Sequence, residues 1–319
     1  MDIEAPVVSG KPERILVIKL GALGDVIQAL GPMRAIRDHH PNAEITCMTT
    51  SPFRDLIQQT GFCDLIWEHQ RPSNIDLMGW ITLRVKLRAP KYQRVYDLQT
   101  SSRSNRFYRL IWPGPYPEWS GNAPGCSHPH KNPARNSMHT LERQAEQLAD
   151  AGILKTPPPT LDELGEDISH LNLPSDYCLV VPGGAAHRPE KRWPAAYYRE
   201  LVQRIIATDV TPVIVGTRSE GAIARQITQD VEGVINLVDQ TSLLSLVSLA
   251  KGAKFALGND SGPMHISAIA GVPSVVLYSH ASDPDLCAQR GPSVVILRKP
   301  SLDDVTVEEV LDVLPTGNP

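Results

Sequence analysis

With 319 residues, of which 41% are hydrophobic and 21% charged, the chain can bury a substantial core and is long enough for one large or two medium domains. No uninterrupted apolar run approaches the roughly 18 residues that a bilayer-spanning helix requires, which argues against a transmembrane protein. The net charge of −4 and the lack of a recognition motif argue against sequence-specific nucleic-acid binding, and five widely spaced cysteines without a CxxC pair read as reduced thiols.

The chain opens on residues 1–13, which carry acidic side chains and no apolar segment, so no secretory signal is expected and the cytoplasm is the expected compartment. A β-branched run at 14–20 predicts the first strand. It ends in Lys19-Leu20-Gly21-Ala22-Leu23-Gly24-Asp25-Val26, where two glycines allow a tight turn and Asp25 falls near a helix N-cap. Asp25 there is either a helix cap or a carboxylate held as a general base. The loop lacks both the G-x-G-x-x-G spacing and a Walker pattern.

Helical periodicity follows at 26–39, strand patterns at 44–49 and 65–69, a helix at 75–87 and a strand at 94–99. The first half holds 19 Lys and Arg against 15 Asp and Glu through residue 155, and the second half 12 against 20. Much of the basic surplus lies between Arg84 and Arg109, including Arg88, Arg94, Arg103 and Arg106. That band reads either as a solvated helix face or as an attractor for an anionic partner. Trp112, Tyr116 and Trp119 read as a cover for an interdomain region. Cys126, His128, His130 and His139 have the right chemistry for zinc but match no standard spacing, and a solvated loop is the simpler reading.

A helix at 139–151 precedes a proline-rich stretch that breaks the periodicity. The expected organisation is therefore a first domain at 1–155, a linker at 156–175 and a second domain at 176–319, with the last helix a candidate to pack back on the first domain. The second half restarts with a strand at 177–181, a helix after Pro194, strands at 211–215, 234–237, 255–257, 274–278 and 294–297, and a final helix at 306–314. Alternating strands and helices in both halves predict an α/β fold of two doubly wound parallel sheets, with ligands at the carboxyl ends of the strands and a cleft between the domains.

Three second-half motifs sit at such strand ends. Val181-Pro182-Gly183-Gly184, continuing through Lys191-Arg192-Trp193-Pro194, combines a glycine-rich turn with cations suited to an oligophosphate, although an ordinary surface loop is the alternative. In Val215-Gly216-Thr217-Arg218-Ser219-Glu220, Glu220 either receives ribose hydroxyls or supports a helix start. In Gly258-Asn259-Asp260-Ser261-Gly262-Pro263-Met264-His265, a helix N-terminus aims unpaired amides outward as a phosphate site, with His265 either a core histidine or a donor beside it.

The order of GALGDV, PGG with KRWP, VGTRSE and GNDSGPMH resembles glycosyltransferase family 9, the ADP-heptose:lipopolysaccharide heptosyltransferases, over roughly residues 14–297. The resemblance implies a GT-B architecture of two Rossmann-like domains. It implies that Asp25 deprotonates the acceptor hydroxyl and Lys191 offsets charge on the leaving diphosphate. Gly183, Gly184, Glu220, Asp260, Ser261, Gly262 and His265 would then bind the nucleotide-sugar donor, ADP-heptose, with Glu220 on the ribose. Lys19, Arg103 and Arg106 would meet an anionic glycolipid or glycan acceptor of the lipopolysaccharide core, at the inner face of the membrane. It further implies an inverting reaction with no metal and no cofactor. The alternatives are a family member using another nucleotide sugar, which donor competition separates, and a catalytically silent sugar-nucleotide-binding protein, against which the pairing of Asp25 with Lys191 argues.

Overall fold

The computed structural model describes residues 11–184 and 188–315. The opening segment 1–10 and three residues of the second-half glycine loop, Ala185, Ala186 and His187, were read from sequence above and lie outside the described residues. In chain order the first elements are β1 (Arg14–Ile18), α1 (Leu23–Gln28), α2 (Leu30–His39), β2 (Glu44–Thr49), α3 (Arg54–Gln59) and β3 (Leu65–Glu68). Next come α4 (Leu77–Arg88), β4 (Arg94–Asp97), α5 (Ser102–Leu110), β5 (Glu118–Gly121), β6 (His128–Pro129) and α6 (Thr140–Asp150). The second half contributes β7 (Tyr177–Val181), α7 (Ala195–Ile206), β8 (Thr211–Ile214), α8 (Gly221–Thr228), β9 (Ile235–Asn236) and α9 (Leu243–Gly252). It ends with β10 (Ala256–Asn259), α10 (Gly262–Ile269), β11 (Ser274–Tyr278), α11 (Pro284–Cys287), β12 (Val294–Arg298) and α12 (Val307–Val313).

The strands form two six-stranded parallel sheets, in the orders β3-β2-β1-β4-β5-β6 and β12-β11-β10-β7-β8-β9. Each is doubly wound, as in the paired Rossmann-like folds of GT-B proteins. Central parallel strands are covered on both faces and so read as continuous apolar runs; Ile15 to Ile18 and Tyr177 to Val181 are buried throughout. Strand order reverses between β1 and β4 in one sheet and between β7 and β10 in the other. Ligands of such sheets bind beyond the carboxyl ends at that reversal.

The chain divides into two compact units. Among the described residues, one comprises those up to Leu20, Met33–Lys131 and Ala145–Thr156; the other comprises Gly21–Pro32, Asn132–Gln144 and those after Thr156. The glycine loop and α1 that follow β1 thus belong to the second unit. The first unit's core gathers Leu16, Ile18, Val95, Phe107 and Trp119. The second unit's core gathers Val180, Trp193, Tyr198, Leu257 and Leu277, together with Val307 and Val310 of α12, which packs on α7.

Several local readings are corrected. The helix expected at 26–39 begins at Leu23 and is broken at Ala29 into α1 and α2. The helix expected from 75 starts at Leu77, because the Asp76 carboxylate accepts from the Gly79 amide at 2.8 Å and caps it. Strands β5 and β6 were not expected, since four and two residues containing Gly, Ser and Pro offer no β-branched run. Trp119 lies on β5, fully buried in the first unit's core against Tyr108 at 5.2 Å between ring centroids, and Trp112 is 67% exposed. The segment with Cys126, His130 and His139 is the expected exposed loop before a helix, except that these three side chains are buried within it. His139 Nε2 lies 3.0 Å from the Ala288 carbonyl, and Ser127 Oγ lies 3.0 Å from His128 Nδ1. Among the described residues no helix is long and apolar enough to cross a membrane.

The proline-rich stretch after Pro157 is fastened to α9 inside the second unit. Lys251 Nζ donates to the carbonyls of Asp162 and Leu164 at 2.8 Å, Ser242 Oγ donates to Glu166 Oε1 at 2.7 Å, and Leu161 and Leu164 are buried.

Candidate active site

A cavity of about 500 Å³ lies in the second unit, beyond the carboxyl ends of β7, β8 and β10. Its walls come from four chain segments: residues 22–28 of the α1 region, the loop after β7, the loop after β8, and the turn from β10 into α10. Asp25, Gly183, Gly184, Lys191, Glu220, Asp260, Ser261, Gly262 and His265 all line it. Lys19, Arg103 and Arg106 do not; they belong to the first unit.

The turn into α10 is built for an anion. Ser261 is the N-cap with extended backbone, Pro263 occupies the first turn, and the Ser261 hydroxyl is buried without a partner. The first-turn amides of Gly262 and Met264 have no intrahelical acceptor, and the helix dipole adds positive potential there. α10 is held against α1 at close range: a Cβ on Gly262 would stand 2.6 Å from Leu23 Cβ, and one on Gly24 would stand 2.6 Å from His265 Cδ2. Glycine at both places lets the two short helices meet.

Lys191 Nζ lies 2.5 Å from Asp260 Oδ2, with both side chains largely buried. Ser282 Oγ donates to the same oxygen at 2.6 Å, and Gln289 Nε2 donates to Oδ1 at 3.0 Å. Burial alone would push the Asp260 pKa up, but the hydrogen bonds from Lys191 and Ser282 outweigh it and hold the carboxyl below its ordinary value. Gln289 in turn accepts from Tyr278 Oη at 2.8 Å, so the lysine is fixed by a chain of buried polar groups.

Asn259 ties two of the loops together. Its Nδ2 donates to the Pro182 carbonyl at 2.8 Å and to the Gly183 carbonyl at 3.3 Å. Its Oδ1 accepts from the Trp193 amide and from Tyr198 Oη, each at 3.1 Å. The glycine loop after β7 is therefore anchored on the end of β10.

Glu220 closes the third wall. Oε2 accepts from the Thr217 amide at 2.9 Å and from Thr217 Oγ1 at 2.7 Å, a capping box, while Ser219 Oγ donates to Oε1 at 2.7 Å. The side chain lies against Gly183 and Gly216, where a Cβ would meet its Cγ or Cβ at 3.0 Å. Arg192 donates to the Gly184 carbonyl at 2.8 Å and reaches within 3.9 Å of Glu220.

Asp25 is the third residue of α1, and Oδ2 accepts from the Ala22 amide at 3.2 Å. One turn along, Gln28 Nε2 lies 3.2 Å from His265 Nδ1. The amide nitrogen can only donate, so Nδ1 is the acceptor and the imidazole proton sits on Nε2. Burial lowers the His265 pKa to about 4, against the pull of Asp260 and Asp25. The ring is neutral at pH 7.

A second concavity, about 600 Å³, opens at the amino ends of β1, β4 and β5 in the first unit, between Glu13, Tyr92, Arg94 and Tyr116. Its arginines are engaged: Arg94 pairs with Glu118, and Arg88 donates to the Gly114 carbonyl at 3.0 Å. Lying at the wrong end of the strands for the loop motifs, it brings none of them together.

The sequence profile of glycosyltransferase family 9 (heptosyltransferase) matches residues 80–309. The lipooligosaccharide heptosyltransferase 2 of Haemophilus ducreyi is 33% identical over 325 residues, covering 89% of this chain and 88% of its own. The chain belongs to glycosyltransferase family 9. The fold agrees. A family 9 glycosyl transferase of Veillonella parvula superposes with a TM-score of 0.81 at 19% identity, covering 94% of this chain and 95% of that one. The ADP-heptose LPS heptosyltransferase II of E. coli superposes with a TM-score of 0.78 at 23% identity, covering 94% and 96%. Membership makes this a GT-B glycosyltransferase that transfers sugar from a nucleotide-sugar donor.

For a family 9 chain the first unit is also informative. Lys19 is buried and its Nζ donates to the Leu98 carbonyl at 3.1 Å, while the Leu20 amide donates to Gln99 Oε1 at 2.8 Å, so both brace the β1/β4 reversal. Arg106 is exposed and donates to Asn74 Oδ1 at 3.0 Å. Arg103 is half-buried beside His69, whose pKa burial and the neighbouring Arg103 and Arg71 charges lower to about 4. Sequence reasoning missed Gln28, Ser282, Tyr278 and Gln289 altogether, and quoted Asn259 only as part of a motif. Gln28 alone carried a signal, one helical turn after Asp25 and on the same face.

Proposed function

We propose that this chain is an inverting, metal-independent heptosyltransferase that moves a heptose from ADP-heptose to an anionic acceptor of the lipopolysaccharide core or a related surface glycan. The observation that carries this reading is one cavity that holds a carboxylate, Asp25, together with a buried ammonium, Lys191, and the amide end of α10. In this reading Asp25 takes the proton of the acceptor hydroxyl, whose oxygen attacks the anomeric carbon. The bond from that carbon to the diphosphate breaks with inversion, and the electron pair leaves on ADP. Lys191 and the amides of Gly262 and Met264 offset the charge that develops on the leaving group. Asp260, itself an anion, acts by holding Lys191 in place rather than by touching the diphosphate.

Gly183 and Gly184 allow the backbone to approach the donor, Glu220 receives the ribose hydroxyls, and neutral His265 offers its Nε2 proton inside the cavity. Arg103 and Arg106 are assigned to the acceptor's negative charge, and Lys19 to the loops beneath it. We place the reaction in the cytoplasm at the inner face of the membrane, as the lipid-linked acceptor class requires.

The E. coli protein of similar fold is described as an ADP-heptose LPS heptosyltransferase II, which supports the choice of nucleotide. Calorimetric titration with ADP, UDP, GDP and CDP, with and without added divalent metal, tests the donor. Selective metal-free binding of ADP, followed by transfer from ADP-heptose to a core acceptor, is the expected result. Preference for another nucleotide would change the donor, and nucleotide binding with no transfer to any acceptor would overturn the enzymatic reading.

A further inference from the structure

Helix α4 is apolar on two sides. Leu83 and Leu87 face the first unit's core and are buried, as an amphipathic helix requires. The opposite side carries Leu77, Met78, Ile81 and Val85, which are 70%, 69%, 46% and 59% exposed. At about 100° per residue these four fall within one arc of about 100°, a continuous stripe along the helix. Beside it, Arg84 donates to the carbonyls of Leu110 and Trp112 at 2.7 and 2.5 Å, and Arg88 to that of Gly114. These bonds strap the loop after α5 alongside α4, and Trp112 in that loop is itself exposed.

The charge around the stripe is predominantly positive, with the exposed Asp76 cap at the helix start as a counter-charge. Helix α4 carries Arg84, Lys86 and Arg88 and α5 carries Arg103, Arg106 and Arg109, and neither helix contains an acidic residue. On the wheel, Arg84 flanks one edge of the apolar arc, Arg88 falls within it at the helix's last position, and Lys86 lies about 80° beyond the other edge. An apolar strip with an exposed tryptophan and cations nearby matches the chemistry of an interfacial helix lying on anionic lipid headgroups. A second copy of the chain is a poor occupant, because a self-complementary contact would set these cations against themselves.

We infer that the outer face of α4, with Trp112, docks the first unit on an anionic lipid bilayer. The apolar side chains enter the headgroup boundary and the exposed Lys86 meets lipid phosphates, while Arg84 and Arg88 hold the Trp112 loop in place. Docking needs no nucleotide, so it stands or falls separately from the donor assignment.

The test is co-sedimentation of the full chain with phosphatidylcholine vesicles and with vesicles that also contain about 30% phosphatidylglycerol. The expected result is at least tenfold stronger partition to the anionic vesicles, weakening as salt is raised. Ile81→Ser with Val85→Ser should lower it by about tenfold or more, and Lys86→Glu by about fivefold on anionic vesicles only. Unchanged melting temperature and nucleotide affinity in these surface variants would show that the fold is intact. Equal partition to both vesicles, or full binding by the serine variant, would overturn the inference. So would a dimer in lipid-free sedimentation velocity that the serine variant dissociates, since the face would then belong to a second copy.

Discussion

Lys191 and Asp260 form an ion pair of 2.5 Å on the cavity wall, between two chain segments that sequence separates by 69 positions. The pair solves a positional problem. A lysine has four rotatable bonds and would otherwise sweep a large volume; Asp260, itself clamped by Ser282 and Gln289, confines the ammonium to one place. A diphosphate arriving at α10 then meets a cation that is already oriented.

Asp260→Asn should therefore impair turnover although Lys191 is intact, by about a hundredfold if the ammonium shifts by about 1 Å. Lys191→Ala should weaken both donor affinity and turnover. The Asp260 carboxyl titrates below its ordinary value in the folded chain, so the pair's stabilisation is present at neutral pH and is lost as the pH falls past the unfolded carboxylate value, about 3.9, through the folded one. Steady-state kinetics of both variants, with acid melts of Asp260→Asn beside the parent chain, check this. Parent-like kinetics in Asp260→Asn would remove its positioning role.

Asp25→Asn separates base from cap. The asparagine oxygen can still accept from the Ala22 amide, so the loss of stability should stay within about 1 kcal/mol. Turnover should fall by several orders of magnitude while donor affinity changes little, as expected of a group that acts only in the transition state. A Tm near that of the parent with turnover also near it would leave Asp25 as a helix cap.

The distinction between what sequence shows and what it hides follows from range. Central strands such as Ile15 to Ile18 must be apolar on both faces, and the turns after them need glycine, so the sheets and the strand-end motifs were legible as local patterns. The pairing of Gly24 with His265 and of Gly262 with Leu23 is a contact between distant segments. No local period announces it. The same holds for Ser282 and Gln289, which lie in the loops on either side of α11 and matter only because they reach Asp260. The burial of Trp119 was hidden because β5 is four residues long, too short to show alternation. The break at Ala29 leaves Asp25 on the separate helix α1, grouped with the second unit, although a single helix from 26 to 39 was the simpler periodic reading.

His265 should leave a signature in the pH dependence of stability. Its folded pKa of about 4 lies below the unfolded value of 6.5, so between those values the unfolded chain binds more protons and stability falls as the pH drops. The full effect is about 3 kcal/mol, at 1.36 kcal/mol per unit. His69, lowered to about 4, acts in the same direction. Asp97, raised by burial to about 6, acts in the opposite one, because its folded form takes up a proton first. The parent profile mixes these with His40 and His139, whose values burial also lowers. His265→Asn, whose side-chain oxygen can accept from Gln28 in place of Nδ1, removes only the first, so the difference between variant and parent unfolding free energies from pH 6.5 to pH 4 should isolate it. A difference that is flat across this range would mean that His265 is not held neutral by the fold.

Two glycine substitutions of opposite sign test the packing of the site. A Cβ on Gly24 would lie 2.6 Å from His265 Cδ2 and 2.8 Å from Nε2, and that ring is buried and held by Gln28, so it has little room to yield. Gly24→Ala should cost about 1–3 kcal/mol and weaken donor binding, because displacing His265 displaces the cavity wall. Gly221, at the first position of α8, has no atom within 4 Å of a built Cβ. Gly221→Ala should be neutral or stabilising by up to about 1 kcal/mol, through the unfolded chain's lost freedom. Denaturant melts and ADP titration of both variants read the two effects together. If Gly24→Ala melts with the parent and binds nucleotide normally, the close approach of α1 to His265 is not what shapes the site.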